Sequence, residues 1–131
     1  EWQLTVDADD KLALEAFTES TDGHIRRLTD AAITMGAWKF FAATYANAAV
    51  TMASAVMYQD GLAVASTASV VVAGYVATED TAAVVGLGQT AGAANLFSGS
   101  LALVALVAKE MTASEIWSVK ELCNSQFGLS L

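Results

Sequence analysis

The most recognisable chemical spacing in this chain is Gly86-Leu-Gly88-Gln-Thr-Ala91, a GxGxxA run that follows apolar residues 82–85 and lies 24 residues, counted from Gly86, before Glu110. A dinucleotide site uses that order: a strand, a glycine turn, a helix N-terminus facing pyrophosphate, then an acid on the ribose. Too little chain follows Glu110 to complete the parallel sheet such a site needs, and the upstream chain does not alternate strands with amphipathic helices. No nucleotide is expected. Gly88-Gln-Thr-Ala-Gly92 also reads as GxxxG, a spacing that lets helix backbones approach closely, and that is the reading adopted for these glycines.

His24, in Gly23-His24-Ile25-Arg26-Arg27, is the single histidine, and Cys123 is the single cysteine. A protein-built metal site draws several such ligands, so no metal is expected, and one cysteine excludes an internal disulfide. Nor does any serine, cysteine or acid stand in a spacing that suggests an activated nucleophile with its base. The chain therefore reads as a non-enzyme. Three amides, Asn47, Gln89 and Asn95, interrupt the apolar middle. Each needs a hydrogen-bond partner there, either a neighbouring helix or a bound group such as a pigment or lipid held through the amide oxygen. Tyr45, Tyr75 and Phe97 could add ring contacts. These amides are the only cofactor-binding candidates, and no particular cofactor is specified.

The elements that would position these residues follow from composition. Of 131 residues, 55% are hydrophobic and 15% charged, and there is no proline; ordinary usage would give roughly six or seven prolines. Proline breaks helices, so its absence fits long helices joined by short turns. The net charge of −8 excludes a nucleic-acid partner, because phosphate binding needs a basic stripe. Asp7, Asp9, Asp10, Glu15, Glu19, Asp22 and Asp30 crowd one end of the chain, and Glu110, Glu115 and Glu121 the other.

The expected fold is all-α: a small membrane bundle of about three apolar helices over 40–57, 62–77 and 82–108, broken at Gln59-Asp60-Gly61 and at 78–81. Two spans remain if the middle run is only a buried helix. Residues 1–6 read as an extended arm in which Trp2, Leu4 and Val6 alternate. An amphipathic helix near 8–28 carries a Leu14, Phe17, Thr21, Ile25 and Leu28 stripe. A second, near 113–127, opens on the capping box Thr112-Ala-Ser-Glu115 and ends at Gly128. As one domain, 1–131 divides into an acidic surface segment (1–30), an apolar core (31–108) and a C-terminal helix with its tail (109–131).

Trp38, Lys39, Arg26, Arg27 and Trp117 are expected at the membrane interface. The runs are poor in Leu and Ile and rich in Ala, Gly and Ser, which favours contact with protein over lipid. Ala42, Ala46 and Ala49 would share one helix face, Ala65, Ser69 and Ala73 another, and Gly88 and Gly92 a third. The chain starts at Glu1, which suggests removal of a leader or transit peptide. The function expected is a non-catalytic integral membrane subunit that stabilises a larger complex, photosynthetic or respiratory. Its partners would be other membrane subunits, copies of itself, and lipid. The alternative is a self-assembling filament, pilus or viral coat protein built from packed small-residue helices.

Overall fold

The computed structural model describes residues 2–34, 36–46, 51–77 and 99–131. The described residues form seven strands, β1 (Trp2–Val6), β2 (Leu12–Thr18), β3 (Gly23–Thr29), β4 (Phe41–Thr44), β5 (Val56–Gln59), β6 (Leu62–Val64) and β7 (Ser66–Val72), then one helix, α1 (Ala113–Phe127). Every pairing is antiparallel. One sheet runs β1-β2-β3-β7 and the other β4-β5-β6, and the chain passes from the second back to the first at Ala65.

The alternation of β2 shows why this is a sheet. Leu12, Leu14, Ala16 and Thr18 are buried on one face, while on the other Ala13 is buried and Glu15 and Phe17 stand half-buried. Ile25 of β3 continues the inner face, since it pairs with Ala16. From the opposite sheet Met57 enters the same cluster, and Ile33, Met52, Ala55 and Tyr75 close it from the connections. Arg27 faces inward too, but its donors are satisfied: Nε and Nη2 donate to Ser66 Oγ (2.8 Å) and O (3.0 Å), and Nη1 to the carbonyls of Met52 and Ala53 (both 3.1 Å). A charge this enclosed is stable only with such partners.

Turns carry as much information as strands. Asp60 and Gly61 both have positive φ (51° and 82°) and close a two-residue hairpin in which Gln59 pairs with Leu62. Asp-Gly suits that turn because both central residues occupy the left-handed region. Asp60 also receives Lys39 Nζ at 2.8 Å and the Phe40 N–H at 3.2 Å. Gly23 answers a different need: a Cβ there would meet the Tyr75 nitrogen at 2.1 Å. Beside it, Thr18 Oγ1 donates to the Ala77 carbonyl (2.6 Å) and accepts the Val76 N–H (3.1 Å), pinning the chain beyond β7 to the end of β2.

The all-α membrane bundle is thus corrected. The expected helix at 8–28 is β2, a single 3-10 turn at Glu19–Thr21, and β3. The 40–57 run holds β4, a 3-10 turn at Met52–Ser54 and the start of β5, and 62–77 holds β6 and β7. Of the 82–108 run, the described part, 99–108, contains no helix. Among the described residues no helix is long and apolar enough to cross a membrane, so the multi-pass helical membrane location is withdrawn with the bundle. The physical reason is that an apolar run between turns looks alike in a buried strand and a buried helix. Here the valines of 64–72 and the Asp-Gly turn decide for strands.

Two local readings are found as expected. Residues 2–6 are extended, and α1 opens on a reciprocal capping box between Thr112 and Glu115 and ends on Gly128 in the left-handed conformation (φ 63°). The buried positions of α1 are Ile116, Lys120 and Cys123, and the helix packs beside β6. Lys120 is only 6% exposed; its Nζ reaches Glu121 Oε1 at 2.8 Å and lies 4.5 Å from the Trp117 ring centre.

Candidate functional site

The four-stranded sheet has an outer face as well as a core face, and its register brings polar side chains into one row. Gln3 pairs with Glu15, Glu15 with Arg26, and Arg26 with Ser69. One row thus crosses β1, β2, β3 and β7. Side chains directly opposite on adjacent strands stand about 5 Å apart at Cβ, so these four side chains form one continuous polar surface.

Glu15 is the hub. Its Oε2 accepts Gln3 Nε2 at 2.6 Å, and its Oε1 lies 3.2 Å from His24 Nε2. The His24 and Glu15 side chains are 16% and 12% exposed, so the contact is sheltered from water. His24 stacks on its cross-strand neighbour Phe17, with ring centres 4.2 Å apart and planes 22° from parallel. This stack walls one side of the row. Arg26, on the other side of Glu15, is half-buried, and its Nε is shut off from solvent without a hydrogen-bond partner among the described residues. The row ends at β7, where a cleft of about 240 Å³ is lined by Thr51, Met52, Ala53, Ala68, Ser69 and Val70.

A slightly larger cleft, about 260 Å³, lies among Thr29, Asp30, Ala31, Ala32, Gln59, Val64 and Ala65. Its polar groups are engaged by the fold: Asp30 Oδ1 accepts Thr67 Oγ1 (2.8 Å), and Thr29 Oγ1 donates to the Ala31 carbonyl (2.9 Å) and accepts the Leu12 N–H (3.1 Å). On the outer face, by contrast, His24 Nε2 and Arg26 Nε are both shut off from solvent without a hydrogen-bond partner among the described residues.

The residues singled out in the sequence are distributed differently from expectation. Of the interface set, Arg26 joins the outer-face row, Arg27 bridges to β7 in the interior, and Lys39 clamps the Asp60 turn. Trp38 is 46% exposed on the connection before β4. Trp117 covers Gly61, where a Cβ would meet its Cε3 at 2.9 Å. None of these serves as an anchor at the end of an apolar helix, because no such helix precedes or follows them among the described residues.

The helix-packing sets dissolve for the same reason. Ala42 is in β4 and Ala46 follows it; Ala65 joins β6 to β7, Ser69 is in β7, and Ala73 lies in a turn. A three-four spacing aligns residues on a helix, not on a strand, where the period is two. Ala49, Gly88 and Gly92 lie outside the described residues, as do the amides Asn47, Gln89 and Asn95.

Gln3, Glu15 and His24 were missed as a group. The available signal was Glu15 standing between Leu14 and Ala16, which at a period of two sets it on the face opposite both.

The family model described as the concanavalin A-like lectin/glucanases superfamily matches residues 1–117. Comparison with curated proteins and with solved structures finds no match. The family match, with the two antiparallel sheets, overturns both functions expected from the sequence, the helical membrane subunit and the helical filament or coat protein.

Proposed function

This chain belongs to the concanavalin A-like lectin/glucanases superfamily, and from that membership we propose that it is a non-catalytic saccharide-binding module whose contact surface is the outer face of the four-stranded sheet. Lectins bind sugars and glucanases cut them, so the choice between the two rests on the residues of the site. The observation that carries the reading is the Gln3–Glu15–Arg26–Ser69 row. Sugar hydroxyls both donate and accept, and an amide, a carboxylate, a guanidinium and a hydroxyl together offer both. The Phe17–His24 stack adds an apolar wall beside the row, suited to the C–H face of a sugar ring.

Glycoside hydrolysis ordinarily needs two carboxyl groups flanking the scissile bond, about 5–5.5 Å apart for retention or about 6.5–9.5 Å for inversion. On the described outer face Glu15 has one oxygen on Gln3 and the other facing His24. Such a carboxylate is suited to holding donors in place, and this favours binding over cleavage. The net charge of −8 argues against nucleic acid as the ligand.

The test is titration of the protein with a panel of neutral and acidic oligosaccharides, followed through the backbone amide resonances of β2 and β3. Shifts confined to that face, with binding weakened about tenfold or more in Glu15→Ala, are expected. Shifts elsewhere, or no binding across the panel, defeat the reading. Release of new reducing ends during incubation would defeat its non-catalytic part.

A further inference from the structure

We infer that this chain pairs with a second copy of itself, residues 101–107 of each copy lying against Trp2, Leu4 and Val6 of the other. The inference is independent of the saccharide-binding reading, because it uses the opposite face of the four-stranded sheet. Trp2, Leu4 and Val6 stand directly across from Ala16, Leu14 and Leu12 of β2, and residues so paired share a face. They therefore belong to the core side of the sheet. Yet they are 49%, 38% and 39% exposed, while their β2 partners are at most 7% exposed. The buried cluster draws on β2, β3 and β5, and Ala68 of β7 packs against it, but no β1 side chain enters it. Four strands on one side face three on the other. Among the described residues, β1 is the strand left without cover.

The same chain carries a segment of matching chemistry. Leu101-Ala-Leu-Val-Ala-Leu-Val-Ala108 is apolar throughout, exposed throughout, and part of no helix or strand. A solvent-facing apolar run of that length is a liability unless a partner covers it. In an extended chain Leu101, Leu103 and Val107 fall on one side, a stripe of three to set against the three of β1. In its own copy the segment is placed elsewhere. It leads into α1, which packs beside β6 with Trp117 over Gly61, and it stays exposed there. A second copy supplies a cover for the β1 stripe and a stripe for the segment.

The area decides in favour of a pair. Covering a large apolar side chain removes on the order of 100 Å² from water, and a two-fold pair covers these six from each copy. The total is on the order of 1,000 Å², the level that a specific interface has to reach. A two-fold contact also closes on itself, so each copy gives one segment and receives one.

Sedimentation equilibrium of the full chain across a concentration series tests this. About 0.15 M salt screens the repulsion between two chains, each of net charge −8. The unmodified protein should approach twice the mass of one chain as concentration rises. Leu4→Lys and Leu103→Glu, both at exposed positions, should each raise the dissociation constant about tenfold or more, since each puts a charge into both contacts. An equimolar mixture of the two variants should recover dimer. One of its contacts is then unaltered, and the other brings lysine and glutamate together. Leu4→Thr and Leu103→Thr serve as the milder pair if circular dichroism shows that a charged variant fails to fold.

A monomer at every concentration overturns the inference. So does a dimer that either variant leaves intact, because the contact then joins stripe to stripe or segment to segment. No recovery of dimer in the mixture shows that stripe and segment do not meet, and overturns it too. Mass that climbs beyond two chains overturns the two-fold closure.

Discussion

Asp60 shows how one side chain can define a turn that composition alone presents as a gap between apolar runs. Its carboxylate holds Lys39 Nζ and the Phe40 N–H, and its own N–H donates to the Phe40 carbonyl at 2.8 Å. Burial by itself would raise its pKa; the Lys39 hydrogen bond and charge, together with the Phe40 N–H, outweigh that and leave it below the ordinary value of 3.8. A carboxylate with a lowered folded pKa contributes stability above its unfolded value and loses it as pH falls through the folded one. Asp60→Ala should therefore cost about 1–3 kcal/mol in urea unfolding at pH 7. The difference from the unmodified protein should shrink as the pH drops below 3.8; a difference that stays constant to pH 2 would show that the charge plays no part. The turn was legible as Asp-Gly, the strongest short-range hairpin signal when strands flank it. Hydropathy alone does not tell this turn from a break between helices, because the flanking runs are apolar in either case.

Among the elements, α1 was fully legible and the sheets were not. Its capping box satisfies the helix's own first N–H groups, so the signal is local and needs no tertiary partner. Lys109 reinforces it from outside the helix, and that hydrogen bond, with those from the Thr112 N–H and hydroxyl, holds Glu115 down at about 2 from an ordinary 4.5. The contribution is full above pH 4.5 and is lost as the pH falls toward 2. Circular dichroism at 222 nm should report fraying of α1 across that interval ahead of global unfolding. Thr112→Ala, which removes the hydroxyl that accepts the Glu115 N–H, should cost about 1 kcal/mol at neutral pH. If the helix signal is flat from pH 5 to 2, the cap does not depend on the Glu115 charge. The strands had no equivalent local mark. β2 opens on three consecutive buried residues, Leu12-Ala-Leu14, and β7, Ser66-Thr-Ala-Ser-Val-Val-Val72, ends in three consecutive valines that are exposed at the sheet edge, where neither a period of two nor one of 3.6 is visible.

The described residues rest on one apolar core between two sheets, and Met57 is central to it: fully buried, from the three-stranded sheet, in a cluster with Leu12, Leu14 and Ile25 of the other. Met57→Ala should cost about 2–5 kcal/mol, with loss of cooperativity in thermal unfolding; a change below about 1 kcal/mol would mean that the sheets do not share one core. From the sequence alone came the net charge of −8, the extended 2–6 arm, and α1 with both its caps. These are properties of net charge or of residues within a few positions of one another. Only the tertiary structure decided that the apolar runs are strands, and that Gln3, Glu15, Arg26 and Ser69 form one row. A helix is closed by hydrogen bonds four residues apart, whereas a strand takes its partners from distant chain, and a shift of one residue would turn that row into the core.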